Sequence, residues 1–476
     1  MRRKKIWLIF LILTFLSFLF GEEIWTQFYD PFYASIWKVE DVIACSDGGY
    51  AINGSTFDDD TLVEWGFVIK TDSEGNLEWA EQDIVDFQPN NEGRTFIETD
   101  DGGFISSSYW FENGNLLLKR GSNGNVEDTT LLEDIAINSM CRSSDNNIML
   151  AGHNYVNWQT DDDWPCLIKI DQNSEILWSK YYEFDNYDWG VIDAVIQSSD
   201  NGFLLAGRIR DPNNEDAVLV IKTNSVGDTL WTKILDETEE DDKAKTIIET
   251  DNGDIFVGGY LEGITAGFLW KLDAEGNTIW FESGNESCGY GFTAFDCFSD
   301  GKIISTFGDV EMNSSIRKFD NDYNIDWTKN LQLYFGHGDK TIRVTNQDNV
   351  IVALLNASNS TAALIKMDSD GTPADNDISE IANISLYNYP NPFYKNNSTR
   401  SQHGTTIEYF IPSNSKVLLQ IFNIKGQLVK TIEKGMRKKG NHTVQWKAPN
   451  CASGIYFSRL LINDNQIKVK KITIIK

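Results

Sequence analysis

Seven copies of one short pattern, spaced about fifty residues apart, constrain this chain more than any other feature it has. The pattern reads KTDSEGNLEW from Lys70, KRGSNGNVED from Lys119, KIDQNSEILW from Lys169 and KTNSVGDTLW from Lys222. It continues as KLDAEGNTIW from Lys271, KFDNDYNIDW from Lys318 and KMDSDGTPAD from Lys366. A second pattern precedes each copy: SDGGYAING at Ser46, DDGGFISSS at Asp100, SDNNIMLAG at Ser144, SDNGFLLAG at Ser199, TDNGDIFVGG at Thr250, SDGKIISTFG at Ser299 and NQDNVIVALL at Asn346. A period of this length made only of short strands is the signature of a propeller blade, a unit that hides its faces by stacking on its neighbours.

Each copy divides into four strands. In the fourth they are expected near Val191–Ser198, Phe203–Arg208, Ala217–Lys222 and Thr229–Ile234. The first two meet at Asp-Asn-Gly and the last two at Ser-Val-Gly-Asp, residues that supply the positive φ angles of tight hairpins. The Trp opening the fourth strand (Trp79, Trp178, Trp231, Trp280 and Trp327) recurs in most copies, so it reads as blade packing rather than as a ligand contact. The seventh copy stops at Asp375 without its Trp strand, and IWTQFYD at Ile24–Asp30 looks like LWTKILD at Leu230–Asp236. Pairing of that first strand with the region around Ala363–Met367 would close the ring and leave neither edge open.

The formal charge of −30 conceals an asymmetry. From Leu386 to Lys476 there are 15 Lys/Arg against 3 Asp/Glu, so the repeat region carries nearly all of the acid. So acidic a body repels nucleic acid and anionic membrane surfaces, and suits solubility or the binding of cations or polysaccharide. At the N-terminus Arg2, Arg3, Lys4 and Lys5 precede an apolar run from Ile6 to Phe20, ended by Gly21 and Glu22. These are signal-peptide proportions, too short for a comfortable membrane span, with cleavage expected near Gly21. No second stretch is apolar enough to cross a membrane, and no Cys ends the run as a lipoprotein would require. Cys45, Cys141, Cys166, Cys288, Cys297 and Cys451 contain no CxxC pair. Cys288 and Cys297 are close enough to brace one loop, and free buried thiols are the alternative.

The expected organisation is a signal peptide at 1–21, a seven-bladed β-propeller at 22–374, a linker at 375–383 and a β-sandwich at 384–476. The whole is all-β, with the second domain a small Ig-like β-sandwich built from about seven short alternating strands. Over Ile24 to Pro373 the blade pattern resembles secreted propellers with quinoprotein-like repeats, in blade plan only. A vicinal cysteine pair for a quinone is absent, and Asp72 and Trp79 stand too far apart for a sialidase-type Asp box.

The last ninety or so residues carry a more specific resemblance. YPNPF at Tyr389–Phe393, NIKGQLVKT at Asn423–Thr431, a Trp, SGIYF at Ser453–Phe457 and the closing KKITIIK resemble, in order, the C-terminal sorting domain of type IX secretion cargo. The resemblance implies export by the N-terminal signal, then passage through an outer-membrane machine that reads the tail, with the protein released or held at the cell surface. Tyr389, Pro390, Asn391, Pro392 and Phe393 match the opening motif, and Gly454, Ile455 and Tyr456 the late strand.

Within the propeller, alternation places both repeated turns on one face and the longer, variable links on the other, where function is expected. Trp158, Trp164, Tyr187, Trp189 and Tyr290 on those links are candidates to stack on sugar faces, with Asp188 and neighbouring carboxylates taking hydroxyls or Ca²⁺. DSDG at Asp368–Gly371 has fragments of a calcium loop but reads as a hairpin turn. No cofactor is identified, no metal site is assigned, and no nucleophile elbow or His partner marks catalysis. A non-catalytic binding, adhesion or envelope scaffold with a glycan or surface-protein partner is therefore favoured. The alternative is a secreted polysaccharide hydrolase or lyase using paired carboxylates on the long-loop face.

Overall fold

The computed structural model describes residues 25–371 and 385–475, less loop segments that include 85–90, 156–162, 284–290, 335–340 and 395–403. The expected signal peptide and linker lie outside the described residues. Every regular element among those described is a strand. Five four-stranded sheets and one of eight strands hold residues 25–367, and the strand order within each four-stranded sheet is sequential. The eight-stranded sheet is two blades touching through the single pair Tyr334↔Leu355. The fold is a seven-bladed β-propeller.

Blade 4 illustrates the plan, with strands Trp189–Gln197, Phe203–Arg210, Asp216–Thr223 and Thr229–Leu235. Its third strand is buried at every residue, whereas the fourth is mostly exposed or half-exposed. That gradient explains the sequence: strands covered on both faces by neighbouring blades read as continuous apolar runs, and the outermost strand mixes polar and apolar residues.

The two repeated motifs meet in space. Lys70, Lys169, Lys222 and Lys271 open the Lys-led motif and are largely buried, and each points its Nζ at the first-turn acid of its own blade. Lys70 to Asp47 is 2.7 Å, Lys169 to Asp145 2.5 Å, Lys222 to Asp200 2.6 Å and Lys271 to Asp254 2.7 Å. The Asp or Asn two residues after that Lys closes its own turn. Asp72 Oδ1 accepts from the backbone N–H of Glu74 at 2.9 Å and of Asn76 at 2.8 Å, and Asp171, Asn224 and Asp273 repeat this. Asp368 accepts from Asp370 N at 3.0 Å in the same manner, so DSDG is a hairpin turn.

The repeated Trp is a wedge between blades. A Cβ added to Gly124 in blade 2 would lie 2.7 Å from the ring of Trp79 in blade 1, and one added to Gly227 in blade 4 would lie 2.8 Å from Trp178 in blade 3. Trp231 and Trp327 meet Gly276 and Gly371 in the same way. Blade 2 has Asp128 where the others have Trp, and the turn of blade 3 that would receive the indole has Ser174 instead of Gly, at φ 67°.

Closure follows the same rule. Trp25–Tyr29 pairs antiparallel with Thr361–Met367, from Trp25↔Lys366 to Tyr29↔Ala362, and supplies the fourth strand of blade 7. Trp25 then sits on Gly75 of blade 1, 2.7 Å from the position of an added Cβ. Tyr29 Oη donates to Gly75 O at 2.8 Å, as Tyr182 Oη does to Gly227 O at 2.9 Å. The seam therefore reproduces an ordinary blade contact.

Residues 385–475 form a two-sheet sandwich. Ser385–Tyr389, Thr405–Ile411 and Gly440–Trp446 make one sheet, and the five strands Phe393–Tyr394, Asn465–Ile475, Gly454–Ile462, Ser415–Asn423 and Leu428–Arg437 the other. This is one strand more than the sequence suggests, because the two residues Phe393–Tyr394 pair with Ile474 and Ile475 in parallel. Strict alternation of buried and exposed residues along Thr405–Ile411 feeds a core containing Trp446, Tyr409, Phe393 and Ile407.

Candidate functional site

The innermost strand of six blades carries a β-bulge at one equivalent place. The register skips a residue in Val39/Asp41, Gly93/Thr95, Ile137/Ser139, Ile192/Ala194, Ala244/Thr246 and Phe292/Ala294. A bulge leaves one residue out of the ladder and re-aims its side chain. The residues so freed include Glu40, Arg94, Asn138, Asp193 and Lys245, polar insertions in otherwise buried strands. They reach from blade to blade: Arg94 Nη1 donates to Asn138 Oδ1 at 2.7 Å, Asn138 Nδ2 to Ile192 O at 3.0 Å, and Lys245 Nζ to Asp193 Oδ1 at 3.3 Å. Sequence reasoning missed this ring. Its only trace is a polar residue seven positions before the first-turn Asp or Asn in each copy, as Arg94 stands before Asp101 and Asp193 before Asp200.

Four of these side chains border a cavity of about 400 Å³ shared by blades 2 to 5. Arg94, Asn138, Asp193 and Lys245 meet His153, Asp163, Trp189, Val191, Arg208 and Arg210 there. Trp189 opens its strand, Arg210 ends one and Asp163 begins one, so the cavity lies on the long-link face. Its volume is within the usual small-molecule range of about 300–1,000 Å³. Arg210 is committed to Asp216, donating Nε to Oδ1 at 2.6 Å and Nη2 to Oδ2 at 3.0 Å. Among the described residues, Arg94 Nε, Arg208 Nε and Asp193 Oδ2 are buried without a hydrogen-bond partner. Desolvation, reinforced by the charge of Arg94 and then opposed by Asp193, takes His153 down to about 4, so the imidazole is neutral at physiological pH.

Of the six residues the sequence nominated for ligand binding, the structure brings Trp189 to the cavity. Its ring is faced by the guanidinium of Arg210 at 4.4 Å and of Arg208 at 5.1 Å. Tyr187 packs against the core between blades 3 and 4. Asp188 is exposed and anchored by its N–H to Arg210 O at 2.9 Å. Trp164 is half-buried beside Asn154, whose Oδ1 takes its N–H at 3.1 Å. Trp158 and Tyr290 lie outside the described residues.

A second polar group lies at blades 1 and 2. Lys38 bonds Glu92 and stands 3.9 Å from Glu40, while Trp37 Nε1 donates to Glu64 Oε1 at 3.1 Å. Burial, with Glu92 nearby, pushes Glu64 up. Glu92 is pulled down, because the charges of Arg94 and Lys38 outweigh its own burial. Among the described residues no group of three or more His, Cys, Asp and Glu converges as a metal site, and no helix is long and apolar enough to cross a membrane.

In the sandwich, Asn391 clamps the final strand: its Nδ2 donates to Lys471 O at 2.9 Å and its Oδ1 accepts from Thr473 N at 2.7 Å. Phe393 is buried against Trp446 at 6.0 Å between ring centres, and Tyr389 is 77% exposed. Gly454, Ile455 and Tyr456 pair with Ile474, Thr473 and Ile472. The opening motif, the late strand and the terminal strand are therefore one structural unit. Pro390 and Pro392 lie outside the described residues.

Residues 388–476 match the family model of the secretion system C-terminal sorting domain. No curated protein matches the chain. Among solved structures, PorZ of Porphyromonas gingivalis, described as an essential bacterial surface component of the type IX secretion system, aligns at TM-score 0.46 and 11% identity. That alignment covers 93% of this chain, which spans 60% of the PorZ chain. The WD40 β-propeller domain of Doa1 aligns at TM-score 0.46 and 11% identity, over 71% of this chain and 96% of that one.

Proposed function

We propose that this chain is a secreted or cell-surface binding module: a non-catalytic propeller delivered by the sandwich at its C-terminus through the type IX machinery. The observation that carries the reading is the sorting-domain match at 388–476, whose opening motif is physically tied to the terminal strand by Asn391. In this reading residues 1–21 are a cleaved export signal, 22–374 the cargo domain, 375–383 a linker and 384–476 the sorting domain. A glycan or surface protein is the partner, engaged on the long-link face.

Deleting residues 384–476 and following the propeller by cell fractionation and surface protease accessibility tests the delivery. The truncated protein is expected to collect in the periplasm while the full chain reaches the surface. Equal surface levels of the two would overturn the reading.

A hydrolase or lyase is the second reading, and one observation favours it: Glu64 and Glu92 flank Lys38 and are pushed in opposite directions, the arrangement an acid and its partner carboxylate need. It requires release of reducing ends from an acidic or neutral polysaccharide, lost by at least about a hundredfold in Glu64→Gln.

A further inference from the structure

We propose that the cavity shared by blades 2 to 5 binds a hydroxylated carboxylate, the chemistry of a sugar acid, with Arg94 and Arg208 holding the carboxylate and Asp193 a hydroxyl. This deepens the binding reading above and rests on it.

Three polar atoms around this cavity are left unsatisfied. Arg94 Nε–H and Arg208 Nε–H are donors, Asp193 Oδ2 is an acceptor, and all three are buried around one cavity without a partner among the described residues. A buried polar group in that state is costly, and three at one place are rarely tolerated without a role. The other atoms of these side chains are held. Arg94 Nη1 is fixed on Asn138, and the Arg94 guanidinium stacks on Tyr109 at 4.4 Å. Arg208 stands over Trp189 at 5.1 Å with Nη1 4.0 Å from Asp216, and Asp193 Oδ1 takes Lys245 at 3.3 Å. The unfilled positions are thus pre-organised, and a ligand binding them would order little.

The pattern of unfilled positions selects the ligand. Two guanidinium donors suit one carboxylate, which accepts from forked N–H groups. The lone carboxylate oxygen rejects a second anion and accepts a hydroxyl, so the ligand carries both groups. Neutral His153 and Asn138 add uncharged polar contacts, and Trp189 gives the wall an apolar element. A dianionic phosphate fits less well, since Asp163 and Asp193 also line the cavity. The location agrees: the bulges that aim Arg94 and Asp193 inward lie in blades 2 and 4, on either side of the blade that supplies Asn138 and His153.

The test is titration of the full chain with glucuronate, galacturonate, a tri-galacturonate, glucose and inorganic phosphate, followed by calorimetry and by Trp fluorescence. Saturable binding of a uronate is expected, with glucose at least tenfold weaker and phosphate weaker than the uronate. Arg94→Gln should weaken uronate binding at least tenfold, and Arg208→Lys, which keeps the charge over Trp189, should weaken it several-fold. Both variants must match the parent in circular dichroism and melting. Preference for the trimer over the monomer would identify a polymer as the source, and equal affinity a free sugar acid, each supporting the proposal. No uronate binding at millimolar concentration, equal binding of glucose or phosphate, or full affinity in both folded variants would overturn it. Surface delivery, read by fractionation of the same full chain, is independent of these outcomes, so the failure of one reading is separable from that of the other.

Discussion

Gly124 answers two demands at once. Its φ of 83° is one that a side chain resists, and the indole of Trp79 from the preceding blade occupies the space a Cβ would need. Gly124→Ala should therefore destabilise by roughly 1–3 kcal/mol, more than turn strain alone accounts for. Because the two costs are coupled through one contact, Trp79→Ala should make the second substitution cheaper, which a double-mutant cycle in thermal melts would detect. Ser174→Gly, where no indole arrives, is expected to be near neutral. The Trp was legible in the sequence as a packing residue. Its partner was not, since the two belong to neighbouring blades about forty-five residues apart and only the turn pattern hints that they touch. Trp189 illustrates a different gap: its place at the end of a long link was readable, but the arginines that face its ring come from another strand of the blade.

At the level of strands, the inner bulges and the closing strand carry the consequences. Blade boundaries could be read because each strand begins and ends at a turn with its own chemistry, and blade 4 differs from expectation by two residues at most at any end. The bulges could not. A period-two reading assigns Arg94 and Asp193 to a face by counting, and one extra residue re-aims them. The cavity was invisible for that reason. The closing strand was legible from its likeness to other fourth strands, and Trp25→Ala should cost about 3–5 kcal/mol by removing a buried indole from the seam. Loss of the whole strand Trp25–Tyr29 should do more, exposing Thr361–Met367 as a free edge; light scattering on heating would show aggregation that the parent lacks. In the sandwich, Asn391→Ala should release the amides of the last strand to faster hydrogen exchange and reduce surface delivery, while the rest of the sandwich keeps its protection.

For the molecule as a whole, acid should be the weak side. Asp47, Asp145 and Asp200 feel partial burial that raises them, yet the hydrogen bond from the Lys of each blade holds them below the usual carboxylate range. A depressed carboxyl contributes stability above its unfolded value of about 4 and loses it as pH falls further. His153 acts earlier. With its folded value at about 4 against about 6.5 unfolded, the unfolded chain binds the extra proton between those limits, so stability declines as pH drops through that window. Melting temperature should accordingly hold near neutrality, slope down from about pH 6.5 and fall steeply below about pH 4. His153→Gln should flatten the first segment and leave the second, and a parent curve level down to pH 4 would contradict the assignment.

The seam between the two ends of the propeller also sets an order in time. Trp25–Tyr29 is the first of its strands to be synthesised, and its partner Thr361–Met367 is the last. The ring cannot be sealed until Thr361–Met367 has been made, so any export step that needs an unsealed polypeptide can begin while the blades are still being synthesised. A chain cut short before Thr361 leaves its opening strand without a partner.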